Sequence, residues 1–279
     1  MATPSLPEIK EGDATGQTAA LYGDIRAVIG VPMVNLLFRH MATVPGCLHW
    51  AWSTIRPLYI NEKIPKAATT LTSQVLPGQK VDLSGPLKEA ALSGEAIKAI
   101  DRVLDAYGRA NPMNLIGLKI IDLALDQRPQ SASVGTSTAL SGRNLRVDQN
   151  LEALLPMADL ETAPENVRAA LHELAVQIHG CDTGVVPSLY RHFVQWPKFL
   201  QSLKLNLAPI FKGTDFAHAA QAMRIAGEEQ AERFYLTLPL PDLAPPSVET
   251  ATVLKGLIAQ FPPNICRMTV LATLLRRGL

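Results

Sequence analysis

The chain has 279 residues, of which 47% are hydrophobic, and a formal net charge of +1. That length and apolar share suffice to bury a large core in one domain or in two intimate halves. The near-neutral balance, with no Lys/Arg stripe interleaved with aromatics and no apolar run near the roughly 18 residues of a membrane span, argues against nucleic-acid and membrane partners. The opening "MATPSLPEIKEGD" has neither a basic start nor an apolar h-region, so a cytoplasmic location is expected.

In chain order, Leu37, Met41, Val44, Leu48 and Ile55 fall on one helical stripe and predict a core helix. Ile97, Ile100, Val103, Leu104 and Tyr107 mark the next. Asn111-Pro112 reads as a helix start, with the asparagine as cap and the proline at the first helical position, followed by the apolar run Leu115 to Leu125. Residues 126–150 are polar and rich in Gly, Ser and Thr, and read as a linker. Beyond it, Val167, Ala170, Leu171, Leu174 and Ile178 predict a helix, and Leu189, Phe193, Trp196, Leu200, Leu203 and Leu207 form a second core stripe. "FYLTLPLP" near Phe234 has the only strand-like pattern, and its prolines make an extended loop the better reading. Asn264 after Pro263 is a further candidate cap.

The two core stripes belong to one unit written twice. Ala19-Ala20-Leu21 pairs with Ala169-Ala170-Leu171 at a shift of 150 residues; after two extra residues Arg39-His40 pairs with Arg191-His192, Pro45 with Pro197 and Pro57 with Pro209. Toward the ends Tyr107 falls opposite Phe261 and Asn111 opposite Asn264. A unit this long and present twice reads as an internal duplication, not a solenoid. The expected architecture is all-α: two pseudo-twofold-related helical repeats packed around a central pocket, residues 1–125 and 151–279, joined by the 126–150 linker into one compact unit.

Cys47, Cys181 and Cys266 are far apart and odd in number, which fits reduced thiols, each read as a small core residue. No Gly-rich phosphate loop, G-x-S-x-G or metal-spaced cluster occurs. "HELAVQIH" (His172 to His179) places its histidines two turns apart, too far for one zinc. No metal and no cofactor are expected.

The segments "LYGDIRAVIGVP", "RHMATVPG", "YGRANP", "LLPMADLETA" and "WPKFLQ" resemble, in the same order, those of the group I 2-haloacid dehalogenases, the enzymes that act on both D- and L-2-haloacids. The likeness runs from about Leu6 to about Leu275. It implies an all-α fold of two pseudo-symmetric repeats around a buried pocket, commonly a homodimer, and a small carboxylic acid as ligand. It also implies a reaction in which an aspartate activates water for direct attack on C2, expelling halide with inversion and no covalent ester.

Carried onto this chain, the resemblance matches Asn111, in "RANPMN", to the asparagine that holds the water. The family aspartate lies seven residues before the Trp-Pro pair, and here that place is Leu189, so the general base is missing. Loss of such a base costs about 10²- to 10⁴-fold or more. The family tyrosine of the last helix corresponds to Phe261, which keeps the ring and loses the hydroxyl. Met33, Leu36, Ser188, Leu189 and Phe261 are therefore the expected lining of a more apolar pocket.

His192 is the candidate replacement base, three positions after Leu189 and about 60° around the helix from it. Its bland alternative is a packed histidine with one hydrogen bond, favoured by His40 standing in the equivalent place. Asp182 in "GCDTG" reads as turn or cap chemistry. Arg39 and Arg191, off the apolar stripes, read as surface or inter-helix ion-pair residues. Two functions follow: a cofactor-independent hydrolase acting on a small 2-substituted carboxylic acid, or a non-hydrolytic binding or scaffold protein on the same fold.

Overall fold

The computed structural model describes residues 7–76, 78–126, 152–182, 186–238 and 243–279. Most of the 126–150 linker, part of "GCDTG" and the end of "FYLTLPLP" lie outside them. Every described element is helical, in agreement with the all-α expectation. The first half contributes α1 (Gly16–Ile29), α2 (Leu36–Met41), α3 (Cys47–Ile60), α4 (Lys63–Ser73), α5 (Ser84–Glu89) and α6 (Gly94–Asp126). The second contributes α7 (Glu165–His179), α8 (Ser188–His192), α9 (Pro197–Lys212), α10 (Thr214–Tyr235), α11 (Val248–Ile258) and α12 (Phe261–Arg276).

Local chemistry sets the boundaries that position the site. Gly30 ends α1 in the left-handed region at φ +73°, its N–H returned to the Arg26 carbonyl. Asn35 opens α2 by accepting a hydrogen bond from the Leu37 N–H at 3.1 Å. The core stripe that the sequence reads as one helix is broken between α2 and α3 at Pro45-Gly46, Gly46 taking φ +74°. In the second half the break comes at Trp196-Pro197, where a 3₁₀ turn over Phe193–Gln195 separates α8 from α9.

At the centre stands α6, 33 residues and about 50 Å long. Between Ala110 and Leu118 every residue of it is buried, the mark of a helix packed on all sides. This corrects the expected break at Asn111-Pro112: the proline sits inside the helix and Asn111 caps nothing, because packing around the whole circumference outweighs the lost backbone hydrogen bond. Asp126, placed by the sequence reading in the linker, is the last residue of α6 and ion-pairs with Lys255 of α11.

Around this post, α12 runs antiparallel: Arg276 pairs with Asp101 at 2.9 Å and with Asp105. α10 crosses so closely that a Cβ on Gly227 would sit 2.6 Å from Leu115 Cδ2. From the first half, Tyr59 of α3 donates to the Met113 carbonyl at 3.2 Å. α1 is fixed to α3 through Asp24, which accepts from Arg56 at 2.7 and 2.8 Å and from Trp52 Nε1 at 2.6 Å. Burial alone would raise the Asp24 pKa, but these donors bring it below the usual carboxylate range.

Three smaller expectations are revised. Phe234 and Tyr235 finish α10, so "FYLTLPLP" begins as helix. Asn264 lies inside α12, whose prolines at positions 262 and 263 occupy the first turn. Cys47 and Cys266 are buried, whereas Cys181 is exposed.

Candidate functional site

Each half carries the same staple. In the first, the Arg39 carbonyl accepts from Ile9 N at 3.1 Å and His40 Nδ1 meets the Pro7 carbonyl at 2.5 Å. In the second, the Arg191 carbonyl accepts from Ala158 N at 3.1 Å and His192 Nδ1 meets the Leu155 carbonyl at 2.5 Å. An extended segment is thereby fastened to the Arg-His end of a short helix, once to α2 and once to α8.

Between the staples lies a cavity of about 230 Å³ with walls from both halves. Met33 and Leu36 come from the turn into α2, Tyr107 from α6, Leu155 and Met157 from the second extended segment, and Ser188 and His192 from α8. The sequence-derived lining is thus partly assembled: Met33, Leu36, Ser188 and His192 line the same cavity. Asn111, Leu189 and Phe261 do not line it. Asn111 is buried within α6, and Leu189 is 0% exposed, turned into the core. Phe261 starts the antiparallel α12, and its neighbour Pro262 lines a separate small hollow with Leu115, Lys119 and Asp122, two to four turns of α6 beyond Tyr107.

His192 is the most distinctive group of the wall. It is 4% exposed, and burial, with the Arg191 and Arg39 charges, pushes its pKa down to about 4 against the opposing pull of the Leu155 carbonyl. The ring is therefore neutral at neutral pH. A carbonyl only accepts, so Nδ1 carries the proton and Nε2 keeps its lone pair. That Nε2 is buried and has no hydrogen-bond partner among the described residues. Tyr107 stacks edge-on to the imidazole at 5.7 Å between centroids, and burial raises its phenol pKa far enough to keep it protonated.

Two charged wall residues were missed as site candidates. Glu11 is the cavity's carboxylate, but Oε1 accepts from Val34 N at 2.8 Å and Oε2 pairs with Arg26 at 2.5 Å, leaving it poorly placed to take a proton. Arg39, read from the sequence as a surface or inter-helix residue, is buried on the wall, where it pairs with Glu8 at 2.5 Å and donates to the Val34 carbonyl. Neither signal was readable in advance, because both depend on the N-terminal segment folding back over α2.

No family model matches the chain. A configuration-inverting 2-haloacid dehalogenase of Alcaligenes xylosoxydans xylosoxydans is 27% identical over 215 residues, covering 75% of this chain and 71% of the relative. Among solved structures, a D-2-haloacid dehalogenase mutant superposes with a TM-score of 0.73 at 17% identity, over 100% of this chain and 97% of the other. A complex of a D-2-haloacid dehalogenase mutant with D-2-CPA gives 0.71 at 17% identity with the same coverage. The chain resembles 2-haloacid dehalogenases in sequence and fold.

On this dehalogenase-like scaffold a second feature adjoins the cavity side of α6. Tyr107, Asn111 and Asn114 stand at i, i+4 and i+7 and share a face. Asn114 is 1% exposed, and both its amide oxygen and its amide nitrogen lack partners among the described residues, as does the buried Tyr190 hydroxyl of α8. Unpaired buried polar groups are costly and mark places where water or ligand completes the hydrogen bonding. Asn114 lies in the "RANPMN" motif, but its burial without a partner is a property of the packed helix alone. Among the described residues no group of three His, Cys, Asp or Glu side chains could hold a metal ion, and no helix is long and apolar enough to cross a membrane.

Proposed function

We propose that the chain is a cofactor-independent hydrolase of the 2-haloacid dehalogenase type, acting on a small 2-substituted carboxylic acid, in which His192 replaces the aspartate absent at Leu189. The observation that carries this reading is His192 itself, which lines a cavity of small-acid size, is neutral, and has a buried Nε2 without a partner among the described residues. A pKa of about 4 gives the imidazole the base strength of an ordinary carboxylate, the group it would replace.

In this reading the substrate lies in the cavity beside Arg39, whose guanidinium also pairs with Glu8, and Asn111, matched by the resemblance to the water-holding asparagine, stands one turn of α6 beyond the cavity-lining Tyr107. Nε2 takes the water proton as its oxygen bonds to C2. The carbon–halogen bond breaks in line, its electron pair leaves with the halide, and the 2-hydroxy acid forms with inverted configuration. The imidazolium then returns its proton to solvent.

The second reading, a non-hydrolytic binding protein, is favoured by the full burial of Leu189. Halide release from D- and L-2-chloropropionate and their bromo analogues separates the two. We expect release by the unmodified protein. A silent protein that 2-chloropropionate stabilises against heat would establish the binder, and a silent protein made active by Leu189→Asp would establish a scaffold that lost its base.

A further inference from the structure

A second and larger hollow, about 810 Å³, opens on the opposite side of α6, among the ends of α1 and α3, the length of α4 and the C-terminal turn of α12. Its floor is apolar, built from Val28, Ile29, Tyr59, Ala68, Leu104 and Met113. Thr69, Thr72 and Thr273 also line it, but their hydroxyls donate to the carbonyls of Pro65, Ala68 and Thr269, so they offer no hydrogen to a ligand.

The donors are cations. Four stand on the wall, and two are already neutralised: Lys66 by Glu62 at 2.9 Å, and Arg276 by Asp101 and Asp105. Arg109 reaches Asp105 only at 3.8 Å, and that carboxylate is held more closely by Arg276. Arg277 Nη1 donates to the carbonyls of Val75, Leu76 and Gln79 at 2.8, 2.9 and 3.3 Å, and no carboxylate pairs with it among the described residues. Gly30 admits the Arg109 guanidinium: a Cβ there would lie 3.1 Å from Nη2.

We propose that this groove binds an amphipathic monocarboxylate, its head against Arg109 and Arg277 and its alkyl chain along the apolar floor. Two under-compensated guanidiniums suit a single anionic head, and guanidinium–carboxylate pairing is the strong form of that contact. A hollow of this volume is far larger than a two- or three-carbon acid requires and falls in the range of ligand pockets for longer molecules. The site is separate from the His192 cavity and does not depend on the chemistry assigned there.

Gly108, on the groove wall inside α6, supplies a clean test, because a Cβ there meets nothing within 4 Å. Gly108→Phe therefore fills the groove without a backbone clash and replaces the poorest helix former but proline. Isothermal titration of the full chain with dodecanoate, with dodecyltrimethylammonium as control, is expected to show saturable one-to-one binding of the carboxylate only. Arg109→Glu should weaken it about tenfold or more. Gly108→Phe should abolish it with the melting temperature unchanged or raised. The proposal is overturned if dodecanoate does not saturate, if the cationic amphiphile binds equally, or if Gly108→Phe leaves binding intact. It is also overturned if dodecanoate fails to bind while Gly108→Phe changes the sedimenting mass, which would mean that a second copy of the chain occupies the groove.

Discussion

Under the proposed function, His192 would serve scaffold and chemistry together. Its Nδ1 fastens the second extended segment, as His40 does in the first half, while its Nε2 is buried without a partner among the described residues. Because burial lowers its pKa from 6.5 to about 4, protonation favours the unfolded chain. Its contribution to stability is intact above about pH 6.5 and is lost as the pH falls toward about 4. The span corresponds to a loss on the order of 3 kcal/mol. Urea unfolding of the native chain and of His192→Gln at several pH values should show a difference that changes across this window and is flat outside it. On the proposal that His192 is the base, it stays unprotonated down to the same limit, so kcat/KM should be level from pH 8 to about 5 and bend below about 4. Leu189→Asp places a carboxylate at a fully buried position and should cost about 2–4 kcal/mol, read as a lower urea midpoint.

At the scale of elements, one close approach sets how α10 meets α6 and one charged cluster ties α1 to α3. Gly227→Ala drives a Cβ into Leu115, so despite the better helix former it should destabilise by about 1–2 kcal/mol. Asp24→Asn removes the charge that holds Arg56 and Trp52 between α1 and α3. It should cost about 2–3 kcal/mol at neutral pH by thermal unfolding, and the difference should shrink in acid as the native carboxylate protonates. The stripes through Leu37 and Leu189 were legible because apolar spacing is local. The breaks at Pro45-Gly46 and Trp196-Pro197 and the continuity through Pro112 were not, since each depends on what packs against the segment. Proline and glycine signal a local preference, and a helix buried on every side overrides it in α6 but not between α2 and α3.

At the scale of the molecule, the all-α class could be read from the sequence. Met33, Leu36, Ser188 and His192, named from it, line one cavity, whose use as the substrate site belongs to the proposal. Phe261 could not be placed, because the antiparallel course of α12 carries its start along α6 and away from Tyr107. Glu11 and Arg39 reach the wall only when the N-terminal segment folds over α2, a long-range closure that no local pattern encodes. We read the matching staples on α2 and α8 as the structural trace of the duplication. On that reading the catalytic use of His192 arises from its place in the cavity and not from the staple it shares with His40. The most direct measurement is the turnover number for halide release from D- and L-2-chloropropionate by the native chain and by His192→Gln, with the fold of each checked by circular dichroism. We expect release by the native chain and a loss of about 10²-fold or more in the folded variant. No release by the native chain, or equal release by both, would contradict the assignment of His192 as the base.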